Sequence, residues 1–331
     1  NPPYQRVSVI GAGAWGTALA AVICRAGRDV TLWALEDEVV ESINTKHENA
    51  MYLTGVPLPE GVHATQSLDH LGDADAILMV APAQHVRTVL QNIRNYVRQR
   101  TPIVLCSKGI ETSSGQMMTD VLGEEIPDAI PAVLSGPSFA KDVALGLPTA
   151  VTLACEEDEA RQALGQAIGI PTFRVYQSED LIGAEIGGSV KNVLAIACGI
   201  VEGRELGESA RAALIARGFS EIQDFADAMG GRRETLAGLS GLGDLILTCS
   251  SRQSRNMSLG LALGEGEKLE DIMAARNTVA EGVHSAKAVV SLANEHHIDM
   301  PISTAVAGIV SGQITVDEAI ENLLNRPFKD E

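Results

Sequence analysis

Two spacings of apolar residues alternate through the first half of the chain. Val7-Ser8-Val9-Ile10 is a short run of strand formers, and Ala14 to Ala21 continues with small and apolar residues at helical spacing. Val30-Thr31-Leu32-Trp33 is a second strand at βαβ distance, and Glu36 to His47 reads as a helix with Val39, Val40 and Ile43 on one side. A loop with Gly55, Pro57, Pro59 and Gly61 follows. Ala76-Ile77-Leu78-Met79-Val80-Ala81-Pro82 is unbroken apolar sequence closed by proline, the pattern of a parallel strand buried on both faces. Gln84 to Val97 has helical period, and Pro102 to Cys106 is another buried strand, ending in Ser107-Lys108-Gly109. Further strands are predicted at Ala132-Val133-Leu134, at Ala150-Val151-Thr152-Leu153 and at Phe173-Arg174-Val175.

From about Asp180 the pattern changes. Glycine and alanine become dense, strand signals vanish, and helical periods run on to a last clear helix at Asp317 to Leu324. The predicted fold is α/β: a Rossmann-type, doubly wound parallel sheet over residues 1–187, then an all-helical domain over residues 188–331, with the boundary in the Gly187-Gly188 pair. Ligands are then expected beyond the carboxyl ends of the strands, where Lys108 lies.

Between the first strand and the first helix stands Gly11-Ala12-Gly13-Ala14-Trp15-Gly16, spaced G-x-G-x-x-G. Gly11 permits the turn, Gly13 has no side chain to block a pyrophosphate, and Gly16 lets the helix pack close to the strand. The unpaired N–H groups of the helix start favour an anion. With a second strand at the right distance and Glu36 just beyond it, the segment reads as a dinucleotide cradle.

Composition sharpens this. The 331 residues suffice for two domains, and with 45% hydrophobic but only 3% aromatic residues the core must rest on Ala, Leu, Ile and Val. Lys+Arg of 25 against Asp+Glu of 43 gives a net charge of −18, which argues against nucleic acid or an anionic membrane as partner. An anionic ligand must then be drawn in by a local positive cluster, so basic residues beside glycine-rich motifs become informative. Cys24, Cys106, Cys155, Cys198 and Cys249 contain no C-x-x-C, as expected of buried free thiols in a reducing cytosol. No basic stretch followed by an apolar run is present at the start, so no export signal is expected. Val193 to Val201 is too short to span a bilayer and is predicted to be a buried helix.

Lys191 lies in Gly187-Gly188-Ser189-Val190-Lys191-Asn192, charged among small and apolar neighbours. Such a lysine either lays its stem over apolar surface with its ammonium in water, or is desolvated so as to exchange a proton with a substrate oxygen. Gly238-Leu239-Ser240-Gly241-Leu242-Gly243-Asp244 is a second glycine-rich turn, whose Asp244 suits a helix cap as well as a catalytic role. Ser250-Ser251-Arg252-Gln253-Ser254-Arg255-Asn256 combines arginines with hydroxyls and amides, a set that fits a phosphate as well as a solvated loop. Metal and serine-hydrolase readings fail on spacing: His296 and His297 are adjacent, no Cys/His cluster has zinc spacing, and no G-x-S-x-G elbow occurs.

In combination these motifs resemble the bacterial NAD(P)-dependent glycerol-3-phosphate dehydrogenases along nearly the whole chain. The resemblance is carried by Gly11 to Ala18, Ser107-Lys108-Gly109, Ser135-Gly136-Pro137-Ser138-Phe139-Ala140, Gly187 to Asn192, Gly241 to Leu245 and Gln253 to Asn256. It implies interconversion of dihydroxyacetone phosphate and sn-glycerol 3-phosphate, precursor of the phospholipid backbone, by a cytoplasmic homodimer using NAD or NADP and no metal. It further implies that Lys191 exchanges the proton, with Lys108 and Asp244 near the reacting carbon. The substrate phosphate would be held by Arg255 and Asn256, with Gly136, Ser138 and Ser254 completing the pocket. The coenzyme would be lined by Ala14, Trp15, Lys108, Ala140, Arg255, Val279 and Glu281. Chemically this is coherent, because hydride arriving at a carbonyl carbon leaves negative charge on oxygen that an ammonium can stabilise and protonate.

One departure stands out. Many relatives carry an arginine after the second strand, suited to the 2′-phosphate of NADP, where this chain reads Trp33-Ala34-Leu35-Glu36. Glu36 can bond the ribose hydroxyls of NAD and repel a phosphate, which predicts a weaker NADP preference unless Lys46 compensates. The rival readings are a two-domain hydroxyacid or sugar-acid dehydrogenase, which also uses a lysine, and a nucleotide-binding redox sensor, which leaves the second cluster unexplained.

Overall fold

A computed structural model describes residues 4–276 and 280–327. The chain divides into two compact units, Asn1–Lys108 with Met117–Glu185 and Gly109–Gln116 with Ile186–Glu331.

The first unit holds eight strands: β1 (Arg6–Ile10), β2 (Asp29–Trp33), β3 (Val62–Thr65), β4 (Ala76–Met79), β5 (Pro102–Leu105), β6 (Ile130–Ser135), β7 (Thr149–Ala154) and β8 (Phe173–Ser178). Between them run helices α1 (Ala14–Arg25), α2 (Asp37–Lys46), α3 (Val86–Ile93), α4 (Met118–Glu125), α5 (Ala140–Ala144) and α6 (Asp158–Ile168). The strand order is β3-β2-β1-β4-β5-β6-β7-β8. All neighbours are parallel except β6 and β7, which run antiparallel with Leu134 opposite Leu153, so the expected wholly parallel sheet is mixed toward this edge.

Alternation along the strands feeds two apolar layers. Val9, Leu32, Leu78, Val104 and Leu134 pack with Leu19, Val22 and Ile23 of α1 on one face. Ile10, Ile77, Met79, Ile103 and Leu105 meet Leu90 of α3 and Leu122 of α4 on the other. This is why the strands read as continuous hydrophobic runs.

In the second unit every regular element among the described residues is helical. Helix α7 (Leu181–Gly203) starts in the first unit and continues into the second, and is followed by α8 (Glu208–Met229), α9 (Arg233–Leu236), α10 (Asp244–Ser250), α11 (Arg255–Gly264), α12 (Leu269–Ala274), α13 (Glu281–Glu295), α14 (Pro301–Val310) and α15 (Val316–Leu324). Helix α7 has the length and apolarity to cross a bilayer, yet 94% of its most apolar window is buried inside the protein. It runs unbroken through Gly187-Gly188, and a Cβ at Gly187 would lie 2.5 Å from the Ser240 carbonyl oxygen. Farther along, a Cβ at Gly199 would lie 2.1 Å from Met257 O, and one at Gly260 would lie 2.0 Å from Ile196 O. Glycine density in this half thus reflects backbone-to-backbone packing of α7 on α11 and on the turn before α10.

Candidate active site

The glycine loop follows β1 and opens α1. Gly11 has φ +110°, and its N–H bonds the Trp33 carbonyl at 3.1 Å, fastening the turn to the end of β2. A Cβ at Gly16 would sit 1.8 Å from Gly11 O, so only glycine allows α1 to leave the loop at this angle, whereas a Cβ at Gly13 would meet nothing within 4 Å. Gly13 is the N-cap of α1, with no side-chain cap and no acidic residue in the first turn. An open approach to an uncapped helix start fits a pyrophosphate. Trp15 is partly buried 6.5 Å from the Phe173 ring, and its indole Nε1 is buried without a hydrogen-bond partner among the described residues.

A residue the motif reading missed braces this loop. Asn49 is fully buried, and its Nδ2 donates to Ala12 O and Thr17 Oγ1, both at 2.8 Å. A lone asparagine at the end of the polar run Asn44-Thr45-Lys46-His47-Glu48 carries no motif, and nothing in the sequence sets it apart from its neighbours.

Lys108, Gly136 and Ser138 come together beyond the carboxyl ends of β5 and β6. Lys108 Nζ donates to Gly136 O at 3.0 Å, and Ser138 Oγ donates to the same oxygen at 3.1 Å. Gly136 has φ +154°, and a Cβ there would fall 2.9 Å from Val151 Cα, so β7 closes the space a side chain would need. Ala140 opens α5 just after this turn. All five cysteines are free, and burial raises the Cys106 thiol pKa far above its ordinary value.

In the second unit Lys191 is buried, and its Nζ lies 2.9 Å from Asp244 Oδ1. It also donates to Thr248 Oγ1 at 2.6 Å, and that hydroxyl donates to the Asp244 main-chain oxygen at 2.6 Å. Asp244 opens α10 directly after a π-helical turn, Leu239–Gly243. The lysine therefore does not send its ammonium into bulk water, and Asp244 serves a lysine rather than only capping a helix. Thr248, one helical turn beyond Asp244, was absent from the sequence reading.

Ser254 is the N-cap of α11, accepting from Met257 N at 3.2 Å. Arg255, the first residue of that helix, has an exposed side chain. Asn256 is buried, and its Oδ1 accepts from Gly282 N at 2.9 Å, which leaves the side-chain NH₂ as the group it offers a ligand. A guanidinium, an amide NH₂ and a helix N-terminus are all donors, the set an anion requires. Glu281 opens α13, and Val279 lies outside the described residues.

A βαβ glycine cradle followed by a helical unit with a buried lysine–carboxylate pair defines the class of two-domain nicotinamide-dependent dehydrogenases. The N-terminal signature of NAD-dependent glycerol-3-phosphate dehydrogenase matches residues 6–161 and its C-terminal signature matches residues 180–321, and the chain belongs to this family. It is 60% identical to glycerol-3-phosphate dehydrogenase [NAD(P)+] of Parvibaculum lavamentivorans over 328 residues, covering 99% of this chain and 98% of that one. It is 62% identical to the enzyme of the same name from Maricaulis maris over 325 residues, covering 98% of each. Among solved structures, the glycerol-3-phosphate dehydrogenase of Coxiella burnetii superimposes with a TM-score of 0.93 at 39% identity, covering 98% of this chain and 100% of that one.

Proposed function

We propose that Lys191, paired with Asp244, exchanges the substrate proton in the family's reaction, while Arg255, Asn256 and Ser254 hold the substrate phosphate. Family membership makes the chain an oxidoreductase that interconverts dihydroxyacetone phosphate and sn-glycerol 3-phosphate, supplying the glycerol phosphate backbone of phospholipids. The glycine loop at residues 11–16 would hold NAD(P)H, which when bound would supply the hydride for the carbonyl carbon. The Lys191 ammonium meets the negative charge that grows on the carbonyl oxygen and gives it a proton. Asp244 and Thr248 hold that ammonium at one place, so its direction is set before substrate arrives. Arg255 and the Asn256 NH₂ take the phosphate, and this remote binding energy fixes the carbonyl for attack. On the first unit, Gly11, Gly13, Ala14, Trp15, Gly16 and Ala140 receive the coenzyme, and the family resemblance further assigns Val279 and Glu281 to it. Lys108, Gly136 and Ser138 supply polar groups to the substrate.

The observation that carries this reading is the buried Lys191–Asp244–Thr248 cluster, in which the carboxylate that opens α10 meets a lysine of α7. The donor set at the start of α11 favours a phosphate over the lone carboxylate of a hydroxyacid or sugar acid. We further propose a cytoplasmic homodimer of two domains, residues 1–187 and 188–331, with no nucleic-acid partner, in keeping with the net charge of −18. The test is absorbance at 340 nm with dihydroxyacetone phosphate and NADH or NADPH in turn. Oxidation of the coenzyme that depends on the phosphorylated ketone is expected, and turnover with a 2-keto acid but not with this ketone would overturn the assignment.

A further inference from the structure

We propose that Tyr52, anchored by Asn49, is a positioning residue for coenzyme selection: it holds the Glu36 carboxylate in register with the glycine loop, so that a ribose with a free 2′-hydroxyl is accepted over one bearing a 2′-phosphate. This rests on the reading of the glycine loop and Glu36 as coenzyme-binding groups.

Glu36 follows β2 and is the N-cap of α2. An N-cap side chain ordinarily accepts from its own helix, but Glu36 makes no such bond. Its Oε1 instead accepts from the Tyr52 hydroxyl at 2.8 Å, and its Oε2 has no partner among the described residues. One oxygen is therefore oriented from outside the helix while the other remains available to a ligand hydroxyl.

Tyr52 is placed by the residue that braces the glycine loop. Its N–H donates to Asn49 Oδ1 at 3.0 Å, and the Asn49 amide donates to Ala12 O at 2.8 Å. A continuous chain of bonds thus runs from the turn that would carry the pyrophosphate, through Asn49 and Tyr52, to the carboxylate that would meet the adenosine ribose. The bond to Glu36 also raises the Tyr52 hydroxyl above its ordinary pKa, so the donor keeps its proton.

Nearby charge acts in the same direction. Asp37 and Glu38 stand in the first turn of α2, whereas Lys46 is in the last turn, about 14 Å away along the helix axis. Lys46 therefore cannot take the place of the arginine that many relatives carry after β2. A 2′-phosphate placed at Glu36 would meet a carboxylate unable to swing aside, because Tyr52 holds it.

The experiment compares kcat/KM for NADH and NADPH in dihydroxyacetone phosphate reduction by the wild type, Tyr52→Phe, Glu36→Gln and the double variant. Tyr52→Phe keeps the ring and removes only the donor. Its NADH-to-NADPH ratio is expected to fall by about three- to tenfold, the worth of one hydrogen bond, with the change in coenzyme KM rather than kcat. Glu36→Gln should lower the ratio further, and because the amide oxygen still accepts from Tyr52 but carries no charge, Tyr52→Phe should have a smaller effect in that background than alone. Equal effects of Tyr52→Phe on both coenzymes, or an undiminished effect in the Glu36→Gln background, would overturn the proposal. A ratio unmoved by Glu36→Gln alone would overturn the underlying assignment of Glu36 to the ribose instead.

Discussion

Lys191 Nζ and Asp244 Oδ1 are 2.9 Å apart with both side chains less than a tenth exposed. The pair is held by chemistry as much as by packing, since each charge removed from water is compensated by the other. Lys191→Ala should lower kcat roughly 10²-fold or more, as for loss of a positioned acid–base group. It should also destabilise the fold by about 3–5 kcal/mol, because Asp244 is left buried without its partner. Adding Asp244→Asn should recover much of the stability and none of the activity. Steady-state rates and thermal melts of the single and double variants check both parts, and a near-normal kcat in Lys191→Ala would move the proton exchange elsewhere.

The start of α11 separates two jobs within one side chain. Asn256→Asp keeps an oxygen for Gly282 N but replaces the NH₂ with a second oxygen that faces a phosphate. Its melting temperature should fall, since the new carboxylate is buried with a single N–H partner, and the KM for dihydroxyacetone phosphate of the folded variant should rise. Arg255→Ala should weaken that substrate by about 1.5–3 kcal/mol, the scale of a charged hydrogen bond, with coenzyme KM less affected. A change confined to coenzyme affinity would remove the phosphate assignment.

Two glycines of the opening loop should respond differently to the same methyl group. At Gly13 the backbone is extended and an added Cβ meets nothing within 4 Å, so Gly13→Ala should melt like the wild type yet bind both coenzymes more weakly. At Gly16 the Cβ would sit 1.8 Å from a carbonyl oxygen, so Gly16→Ala should lower the melting temperature as well. Titration of each coenzyme beside a melting curve separates the two, and undiminished coenzyme binding by Gly13→Ala would show that nothing approaches the loop there.

Glu221 caps α14 from α8, accepting from Ile302 N at 2.7 Å and from Ser303 N at 3.1 Å. Burial outweighs these bonds and raises its pKa to about 7 from an ordinary 4.5. The folded state thus keeps a proton that the unfolded chain has released. Its contribution to stability is complete below the unfolded value and is lost as pH rises through the folded one. Between about pH 5 and pH 8 the wild type should lose more stability than Glu221→Gln, which has no proton to release. Glu185, also raised to about 7, titrates equally in both proteins and cancels. Parallel pH profiles of the two melting temperatures would refute the expectation.

Much of the fold was legible because buried strands and amphipathic helices have distinct periods. The strands at Val7, Val30, Ala76 and Pro102 begin within one residue of where the apolar runs place them. β3 went unread, since Val62-His63-Ala64-Thr65 is short, half polar and preceded by a Pro/Gly loop. The reversal between β6 and β7 was equally hidden, because a buried strand has the same composition in either direction. In the second half, the Gly187-Gly188 pair lies inside an unbroken helix, and what Gly187 admits is Ser240, a relation that depends on a partner more than fifty residues away. The candidate site divides in the same manner. Glycine motifs and charged residues announce themselves, whereas Asn49 and Thr248 acquire a role only through what they touch.

The seam of α7 against α11 sets a fixed span. Lys191 lies on one helix and Arg255 begins the other, and main chain meets main chain between them at Ile196 with Gly260 and at Met257 with Gly199. The Cα positions from which the two side chains reach are therefore fixed by main-chain contact rather than by side-chain packing. On the proposed assignment of Lys191 and Arg255 to the two ends of the substrate, selectivity for chain length would begin in the scaffold rather than in side-chain packing.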